Sequence, residues 1–455
     1  MRQILAIAGL TWKAAFRFRL FLVMAVLLLA SVVGLPLIIK DDGTARGFTQ
    51  ILLTYTLSII TMLLGLSTLW LACGTLARDI EECQIQVVAT KPVARWQIWL
   101  GKWLGLVSLN AALLALSGAC VYGLLYWRSA RLPVAQQKIL RQEVLVARGS
   151  AKPSNLNAEI EAQTDQALRR VLTNTPVAPA EIPAVRTQIR EQVKMQYELV
   201  PPDYAHRWQI DLGLAKNYLR DQPLQLRVRF NTAAWDVNST YLAYWRVGAT
   251  NSPNVWEPPV PMSLSANTFH EFQISPNLFD AHGVLTVIFI NPNNTALTFP
   301  LDEGIEVLYP QGGFAPNFAR GLGIIWCWMA LLAALGLTAA SFLSFPVAAF
   351  FSLAVLLVVL SGGVLAEAAD AGTIGNGAPG PVDVVVIPIF KALLVPIHLI
   401  GEFSPIDALS TGRSIPWSEL GAAFGQIVLL FGGVTAIIGI ALLHRRELAT
   451  AQGSQ

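Results

Sequence analysis

Long runs of apolar residues without a charge alternate with short charged segments along much of this chain. The uncharged runs are Leu20–Ile39, Gly47–Ala77, Trp103–Trp127, Gly321–Ala366 and Leu420–Leu443. A helix needs about 20 apolar residues, each rising 1.5 Å, to cross the hydrocarbon core of a bilayer. The run from 321 to 366 suits two helices, with a break where Ser341, Ser344 and Pro346 cluster. The pattern therefore predicts six membrane spans at 20–39, 51–75, 104–126, 321–340, 347–366 and 420–443.

All six spans are expected to be α-helical, because a helix satisfies its own backbone polar groups in lipid. The first apolar stretch is longer than the 7–15 residues typical of a signal peptide, and no A-x-A cleavage site follows it. Before it, a segment with apolar residues on one helical face and Gln3, Lys13 and Arg17 opposite predicts an interfacial amphipathic helix. The apolar residues are Ile4, Leu5, Ala8, Trp12 and Phe16. The alternative is a plain extension of the first span.

Lys and Arg near the span ends indicate the orientation. They concentrate at the N-terminus, in the loop between spans two and three, and at Arg445 and Arg446. An even number of spans places all three regions on one side, which we interpret as cytoplasmic. The segment 128–318 is then outside, and the domain boundaries predicted are 1–127, 128–318 and 319–455.

Segment 128–318 has the composition of a separate water-exposed domain. It holds 17 Lys+Arg and 17 Asp+Glu, whereas the whole chain has only 13% charged residues and 54% hydrophobic ones. This balance, with a net charge of +3 overall, excludes a nucleic-acid partner from first consideration. None of the four Cys lies within 128–318, which favours a bacterial periplasm over an animal cell surface.

Two patterns divide the outer segment. Residues 134–200 carry helical stripes on either side of a Pro-rich turn at Thr173–Pro183, which predicts a helical hairpin. Residues 205–315 change to a period of two, best seen at Leu224–Phe230, with further strands at Val284–Ile290 and Ile305–Tyr309. They predict an antiparallel β-sandwich, and Gly283–Asn291 resembles the last strands of galactose-binding-like jelly rolls. The expected fold class is thus an all-α six-helix membrane domain plus an extracytoplasmic α+β domain.

The β segment is rich in aromatic residues that can stack on sugar rings. The candidate ligand-binding residues are Trp235, Tyr244, Trp245 and Trp256. The alternative, which the sequence favours, is that these rings fill the core of the sandwich.

Motifs of catalysis are not found in the sequence. Gly101-Lys102 is followed by Trp103, so it is no phosphate-binding loop, and neither H-E-x-x-H nor G-x-S-x-G occurs. The five His are scattered without the spacing of metal ligands. We expect no enzyme activity, no metal and no cofactor in this chain, so ATP and Mg²⁺ would be bound by a partner subunit.

The loop 78–102 carries the most informative motif: an acidic helix end, Lys91-Pro92-Val93, then Arg95-Trp96 and Gly101-Lys102. With the N-terminal amphipathic helix, Asp407-Ala408-Leu409, Ser410–Ser414 and Arg445-Arg446-Glu447, it resembles permease subunits of ABC-2-type transporters, in the multicopper-enzyme-maturation branch. The resemblance covers about 260 residues at both ends. The large outer segment departs from the family pattern and leaves the substrate open.

The resemblance implies that the loop forms a coupling helix seated on a separate ATPase. The residues it assigns to coupling are Arg78, Asp79, Glu81, Glu82, Lys91, Pro92, Arg95, Trp96 and Lys102. The alternative is a loop whose charges are simply solvated. The resemblance also implies outer half-helices within 384–416, where Pro388, Lys391, Pro396 and His398 interrupt an apolar run.

Two functions of different class follow. The first is a permease subunit of an exporter in a bacterial inner membrane, working with an ATPase subunit and a second permease copy. The second is an ATPase-coupled anchor or mechanotransmission component whose outer sandwich binds envelope glycan or protein.

Overall fold

The structure of the chain, a computed structural model, describes most of its residues. Those not described are 1, 18, 39–44, 83–92, 131–132, 135–136, 138–139, 141–144, 154–155, 175–181, 233–238, 250–253, 302, 372–382, 402 and 447–455. The chain divides into two compact units. The helical unit comprises Met1–Ala147 and Gly312–Gln455, and the β unit comprises Arg148–Gln311. An apolar helical region and a separate antiparallel sheet region are thus both present, as the sequence predicts.

Helices account for nearly all the regular structure of the helical unit. They are α1 (Arg2–Arg17), α2 (Arg19–Ile38), α3 (Ala45–Glu81), α4 (Arg95–Ser129), α8 (Phe314–Phe342), α9 (Phe345–Leu360), α10 (Gly362–Ala371), α11 (Asp383–Gly401), α12 (Pro405–Ser410) and α13 (Trp417–Arg445). The middle of α13, Phe424–Gly432, is a π-helix. The helices α5 (Leu156–Asn174), α6 (Ile182–Glu198) and α7 (Lys216–Leu219) belong to the β unit.

Within the described residues, five helices are long and apolar enough to cross a membrane. They are Thr49–Glu81, Arg95–Ser129, Phe314–Phe342, Val385–Ser410 and Trp417–Arg445. A sixth candidate is the pair formed by α1 and α2, which is bent by 77°. These lengths and compositions are those of a multi-pass membrane protein.

The membrane candidates agree with the predicted spans in part. The expected break near Ser344 is confirmed, because α8 ends at Phe342 and α9 begins at Phe345. The span predicted at 347–366 is shorter in the structure, since α9 ends at Leu360 after 16 residues.

The sequence predicts half-helices within 384–416, but the first part of this segment is one continuous helix. Asp383–Gly401 is one helix of 19 residues with both Pro388 and Pro396 inside it. Proline usually breaks a helix, but apolar membrane helices tolerate it when neighbouring groups satisfy the freed carbonyls. The sequence pattern therefore overstated the effect of the two prolines.

Helix α1 packs against α4. Ile7 and Thr11 are buried, whereas Leu5, on the apolar face predicted for an interfacial helix, is exposed. The two helices approach closely: a Cβ on Gly101 would lie 2.7 Å from the Cβ of Ile7, and one on Gly105 would lie 2.7 Å from the Cβ of Thr11. Glycines spaced by four residues let two helix backbones come together in this way.

The helical hairpin predicted at 134–200 is present only from 156 onward. Helices α5 and α6 pack through Ile160, Ile189 and Val193. Ion pairs join Glu161 to Arg190 and Asp165 to Arg186, so the two helices run antiparallel. Within 134–155, Val134, Gln137 and Leu140 are helical, whereas Val146–Ala151 forms strand β1, so the helical prediction is wrong for that strand.

The strands of the β unit form three sheets. They are β1 (Val146–Ala151), β2 (Leu199–Val200), β3 (Ala205–Asp211), β4 (Leu224–Val228), β5 (Asn231–Thr232), β6 (Thr240–Gly248), β7 (Val255–Trp256), β8 (Met262–Ser265), β9 (His270–Ile274), β10 (Val284–Ile290), β11 (Leu297–Thr298) and β12 (Ile305–Gly313). The first sheet has the order β1-β12-β4-β9 and the second β3-β10-β6-β7, with β8 on β6. The third has the order β2-β11-β5. Strands predicted at 224–230, 284–290 and 305–309 are confirmed.

One hydrophobic core joins these sheets. Its members come from β3, β4, β6, β10 and β12, and include the fully buried Phe230, Phe289 and Leu226. Alternate residues of β6, beginning with the buried Tyr241, point into this core, while Thr240 and Leu242 point out. Strand alternation thus gives the second sheet one packed face and one outward face.

Candidate functional site

The residues assigned to coupling lie at one end of the helical unit. The last turn of α3 carries Arg78, Asp79 and Glu81, with Glu82 just after it, and α4 begins at Arg95. Lys91 and Pro92 are outside the described residues. Most of these side chains contact other parts of the same chain, which the sequence could not show.

Lys102 makes the most buried of these contacts. Only 6% of the residue is exposed, and its Nζ donates to Asp79 Oδ2 at 2.5 Å and to the carbonyl of Thr75 at 2.8 Å. Thr75 and Asp79 are four residues apart on α3, so they lie on the same helix face and meet α4 together. An ammonium buried to this extent requires a counter-charge, which Asp79 supplies.

Arg95 caps the end of α13. Its guanidinium donates to the carbonyls of Leu443 at 2.9 Å, His444 at 2.8 Å and Arg446 at 2.9 Å. The last carbonyls of a helix have no partner within the helix, and they carry the negative end of its dipole. A cation at this position therefore ties the start of α4 to the end of α13.

Arg446 continues the same arrangement toward α8. Its guanidinium donates to the carbonyls of Ala340 and Ser341 at 3.3 Å each and of Leu343 at 3.5 Å. The end of α8 is thus capped by the residue that follows α13. The sequence showed Arg446 only as part of a terminal motif, and no local signal pointed to this contact.

Glu81 caps the start of α9. Its carboxylate accepts a hydrogen bond from the backbone N–H of Phe345 at 2.8 Å, which places a negative charge at the positive end of a helix. The Arg78 guanidinium lies 4.6 Å from the centre of the Phe345 ring, and Trp70 meets the same ring edge-on at 5.3 Å. Phe345 is therefore held from several sides by α3.

We call Asp79, Glu81, Arg95, Lys102 and Arg446 the junction. It joins the ends of α3, α8 and α13 to the beginnings of α4 and α9 through charged groups. Arg95, Arg446 and Glu81 contact the termini of α13, α8 and α9, and Lys102 holds α4 against the last two turns of α3.

Trp96 is the exposed residue next to the junction. It is 45% exposed, although the helix turn that follows it buries Ile98 and Trp99 completely or nearly so. Glu82 is also exposed. These side chains present a surface on the outside of the junction, whereas Lys102 and Arg95 face the interior of the chain.

The helices meet closely near the junction. A Cβ on Gly439 of α13 would lie 2.6 Å from Thr338 Oγ1 of α8 and 2.9 Å from Trp99 Nε1 of α4. Thr338 Oγ1 donates to the carbonyl of Thr435 at 2.8 Å. Glycine at this position lets the three helices approach, and a larger side chain would separate them.

The aromatic residues predicted to bind a ligand differ in how far the β unit buries them. Trp245 is 2% exposed and packs against Phe289 with ring centres 4.8 Å apart, so it belongs to the core and offers no face to a ligand. Trp256 is half-buried and stacks on Phe272 at 5.5 Å. Tyr244 is 44% exposed, and Trp235 is outside the described residues.

Among the described residues, no group of three or more His, Cys, Asp or Glu is arranged to hold an ion. No model of a known protein family matches this chain, and no curated protein matches it with significant similarity.

Proposed function

We propose that this chain is the membrane-spanning subunit of an ATP-binding cassette transporter of the ABC-2 type, driven by a separate ATPase subunit. The loop motif 78–102, the N-terminal amphipathic helix and the terminal Arg445-Arg446 support the family. The many long apolar helices support a permease role. In this proposal the chain pairs with a second permease copy, and ATP and Mg²⁺ are bound by the partner.

The junction is the observation that carries this proposal. Arg95 and Glu81 flank the loop that the resemblance assigns to the ATPase, and they cap α13 and α9 respectively. A push on that loop would therefore reach helices far apart in sequence through the side chains of Arg95 and Glu81. Solvated loop charges, the alternative interpretation, would not need carbonyl partners on distant helix ends.

The proposal includes finer features of the architecture. The protein would lie in a bacterial inner membrane with six spans, and the 128–318 segment would be periplasmic, its sheets arranged as a jelly-roll-like sandwich. The ends of α3, α8 and α13 and the beginnings of α4 and α9 meet at the junction, which supports placing these helix ends together on the cytoplasmic side.

Topology is tested by reporter fusions. A reporter inserted after Gln225, in β4, is expected to be active only in the periplasm, and one placed after Gln455 only in the cytoplasm, because Lys and Arg concentrate beside the cytoplasmic loops. A cytoplasmic signal from the Gln225 fusion would contradict the orientation.

Contact with an ATPase is tested by site-specific photo-crosslinking in native membranes. The variant Trp96→p-benzoylphenylalanine is expected to yield an adduct with an ATP-binding subunit, because Trp96 is exposed beside the junction. The same photoreactive residue at Tyr126 is the matched control, since Tyr126 is 63% exposed near the other end of α4. An adduct with an ATPase at 126 and none at 96 would refute the coupling role.

The variant Arg95→Ala distinguishes transmission of motion to α13 from binding of the ATPase. This change removes three hydrogen bonds to the end of α13 and leaves Trp96 in place, so the crosslink at 96 should persist while ATP hydrolysis no longer changes the accessibility of α13 to thiol reagents. Arg320→Ala, near the start of α8, where the guanidinium lies 5.5 Å from the Trp417 ring, is the control. Equal behaviour of the two variants would argue against transmission through the junction.

A second candidate function is an ATPase-coupled anchor whose β unit binds a ligand. The exposed Tyr244 on the outward face of β6 favours it. The connection of the β unit to α8 through β12, which ends at Gly313 immediately before Phe314, provides the covalent link that mechanotransmission needs.

A further inference from the structure

The outward face of the second sheet holds a shallow groove of about 200 Å³. Two arginines, Arg207 of β3 and Arg246 of β6, line it together with Thr286 and Ile288 of β10. Most of the lining lies on strands β3, β6, β7 and β10, and Ala249, which follows β6, completes it.

Strand register places the two arginines on either side of one residue. Ile288 pairs with Arg207 on β3 and with Arg246 on β6. Directly paired residues point to the same face of a sheet, and neighbouring strands lie about 4.8 Å apart. The guanidinium groups therefore rise from backbones about 10 Å apart over an apolar floor, a span that one anionic group can bridge.

The adjacent row of the same face is apolar. Ile290 pairs with Tyr244 on β6 and with Ala205 on β3. Tyr244 is 44% exposed and Ile290 43% exposed, although both lie in the middle of a sheet. We call Arg207, Arg246, Ile288, Tyr244 and Ile290 the arginine face.

The charge of the arginine face is positive. Arg246 Nε lies 3.3 Å from Glu257 Oε1, and more than half of each side chain is exposed, so water screens this pair. Arg207 is exposed and makes no ion pair with a carboxylate of the described residues. Two guanidinium groups and one carboxylate leave one positive charge over the groove.

We propose that the arginine face binds an acidic saccharide, with a sugar carboxylate between Arg207 and Arg246 and the apolar side of a sugar ring on Tyr244. Guanidinium groups match carboxylates in bidentate geometry, and aromatic rings accept the C–H face of a sugar. The groove is smaller than the roughly 300–1,000 Å³ of sites for drug-sized ligands, which fits a single ring. The proposal rests on the second candidate function and is independent of the ATPase coupling.

Calorimetric titration of the full-length protein in lipid nanodiscs tests the assignment. The probes are a trimer of galacturonic acid, the neutral galactose trimer, inorganic sulfate and a hexaglutamate peptide. The acidic trimer is expected to bind at least about tenfold more tightly than the other three, because only it offers both a carboxylate and a sugar ring. Added salt should weaken its binding.

Matched variants assign the binding to this face. Arg207→Gln and Arg246→Gln should each weaken binding of the acidic trimer about tenfold, and Tyr244→Ala should weaken the acidic and neutral trimers alike. Arg220→Gln and Tyr218→Ala, which change exposed residues at α7, are the controls and should bind as the unmodified protein does.

Several results would overturn the proposal. They are no binding of the acidic trimer at millimolar concentration, equal binding of sulfate or hexaglutamate, or acidic-trimer binding that survives loss of both arginines. Neutral-trimer binding that ignores the arginines would reject this proposal and keep a sugar-binding β unit. The crosslink at Trp96 reports on the permease proposal separately.

Discussion

Replacing Asp79 with leucine is expected to destabilise the helical unit by about 3 kcal/mol, near the lower end of the cost of breaking a buried ion pair. The change leaves the Lys102 ammonium 6% exposed with only the Thr75 carbonyl as a partner. The expected loss of stability is near the lower end of that range because the Asp79 side chain is 35% exposed. Thermal unfolding of the full chain in detergent micelles measures the loss.

A double variant separates the charge effect from a packing effect. Asp79→Leu together with Lys102→Met removes both charges, and replacing a buried ion pair by apolar residues of similar volume is often neutral or stabilising. The double variant should therefore unfold near the temperature of the unmodified protein, well above Asp79→Leu alone. If the double variant is as unstable as the single one, the Lys102–Asp79 pair is not the cause of the loss.

The same double variant bears on function. If the pair only holds α3 against α4, the ATPase coupling that we propose for this chain should survive its replacement. If the junction transmits motion through charged contacts, the double variant should be stable and uncoupled. Measuring both stability and coupling on this variant therefore shows whether the Lys102–Asp79 pair stabilises the fold or transmits motion.

The sequence predicted features that depend on the hydrophobic pattern alone. The break before Phe345 follows from Ser344 and Pro346 within a long apolar run, and the strand at Val284–Ile290 follows from a short apolar run between turns. These features can be read from the sequence because positions that face lipid or a sheet core are occupied by apolar side chains.

Strand β1 was missed because its pattern is not hydrophobic. Arg148 is 6% exposed, yet in sequence an arginine reads as a surface residue. Its partner Glu271 lies 123 residues away on β9. Burial of paired charges depends on contacts between distant strands, so no local window of the sequence contains the signal.

The contacts of the junction were not predicted. The loop motif assigned Asp79, Glu81, Arg95 and Lys102 to a partner subunit, whereas Arg95 finds its carbonyls within the chain, the first of them 348 residues away. Likewise, the sequence named Tyr244 and Trp245 together as ligand candidates, and only the packed sheet shows that Trp245 is inside and Tyr244 outside.

Glu306 is the centre of a buried charge network in the first sheet. Its carboxylate lies 3.1 Å from Arg227 and accepts from the Ser150 hydroxyl at 2.7 Å, while Arg148 donates to Glu271 at 2.9 Å. Two arginines and two glutamates balance, and they connect all four strands of the sheet. Glu306 is 1% exposed and Arg227 4%, so the balance is held out of water.

Replacing Glu306 with glutamine is therefore expected to cost about 3–5 kcal/mol, because it leaves an unbalanced buried arginine charge with a nearly unchanged shape. Glu303→Gln is the matched control: Glu303 pairs with Arg229, but its side chain is 49% exposed, so the loss should stay below about 1 kcal/mol. Hydrogen exchange of the β4 and β12 amides in the full-length protein measures both. Since 1.4 kcal/mol corresponds to a tenfold change in an equilibrium constant, Glu306→Gln should speed exchange about a hundredfold or more and Glu303→Gln by less than about tenfold.

Adding Arg227→Met to Glu306→Gln restores the balance of charge and should recover part of the protection. Equal effects of the two single variants, or no recovery in the double variant, would show that the network does not hold the sheet through its charge balance.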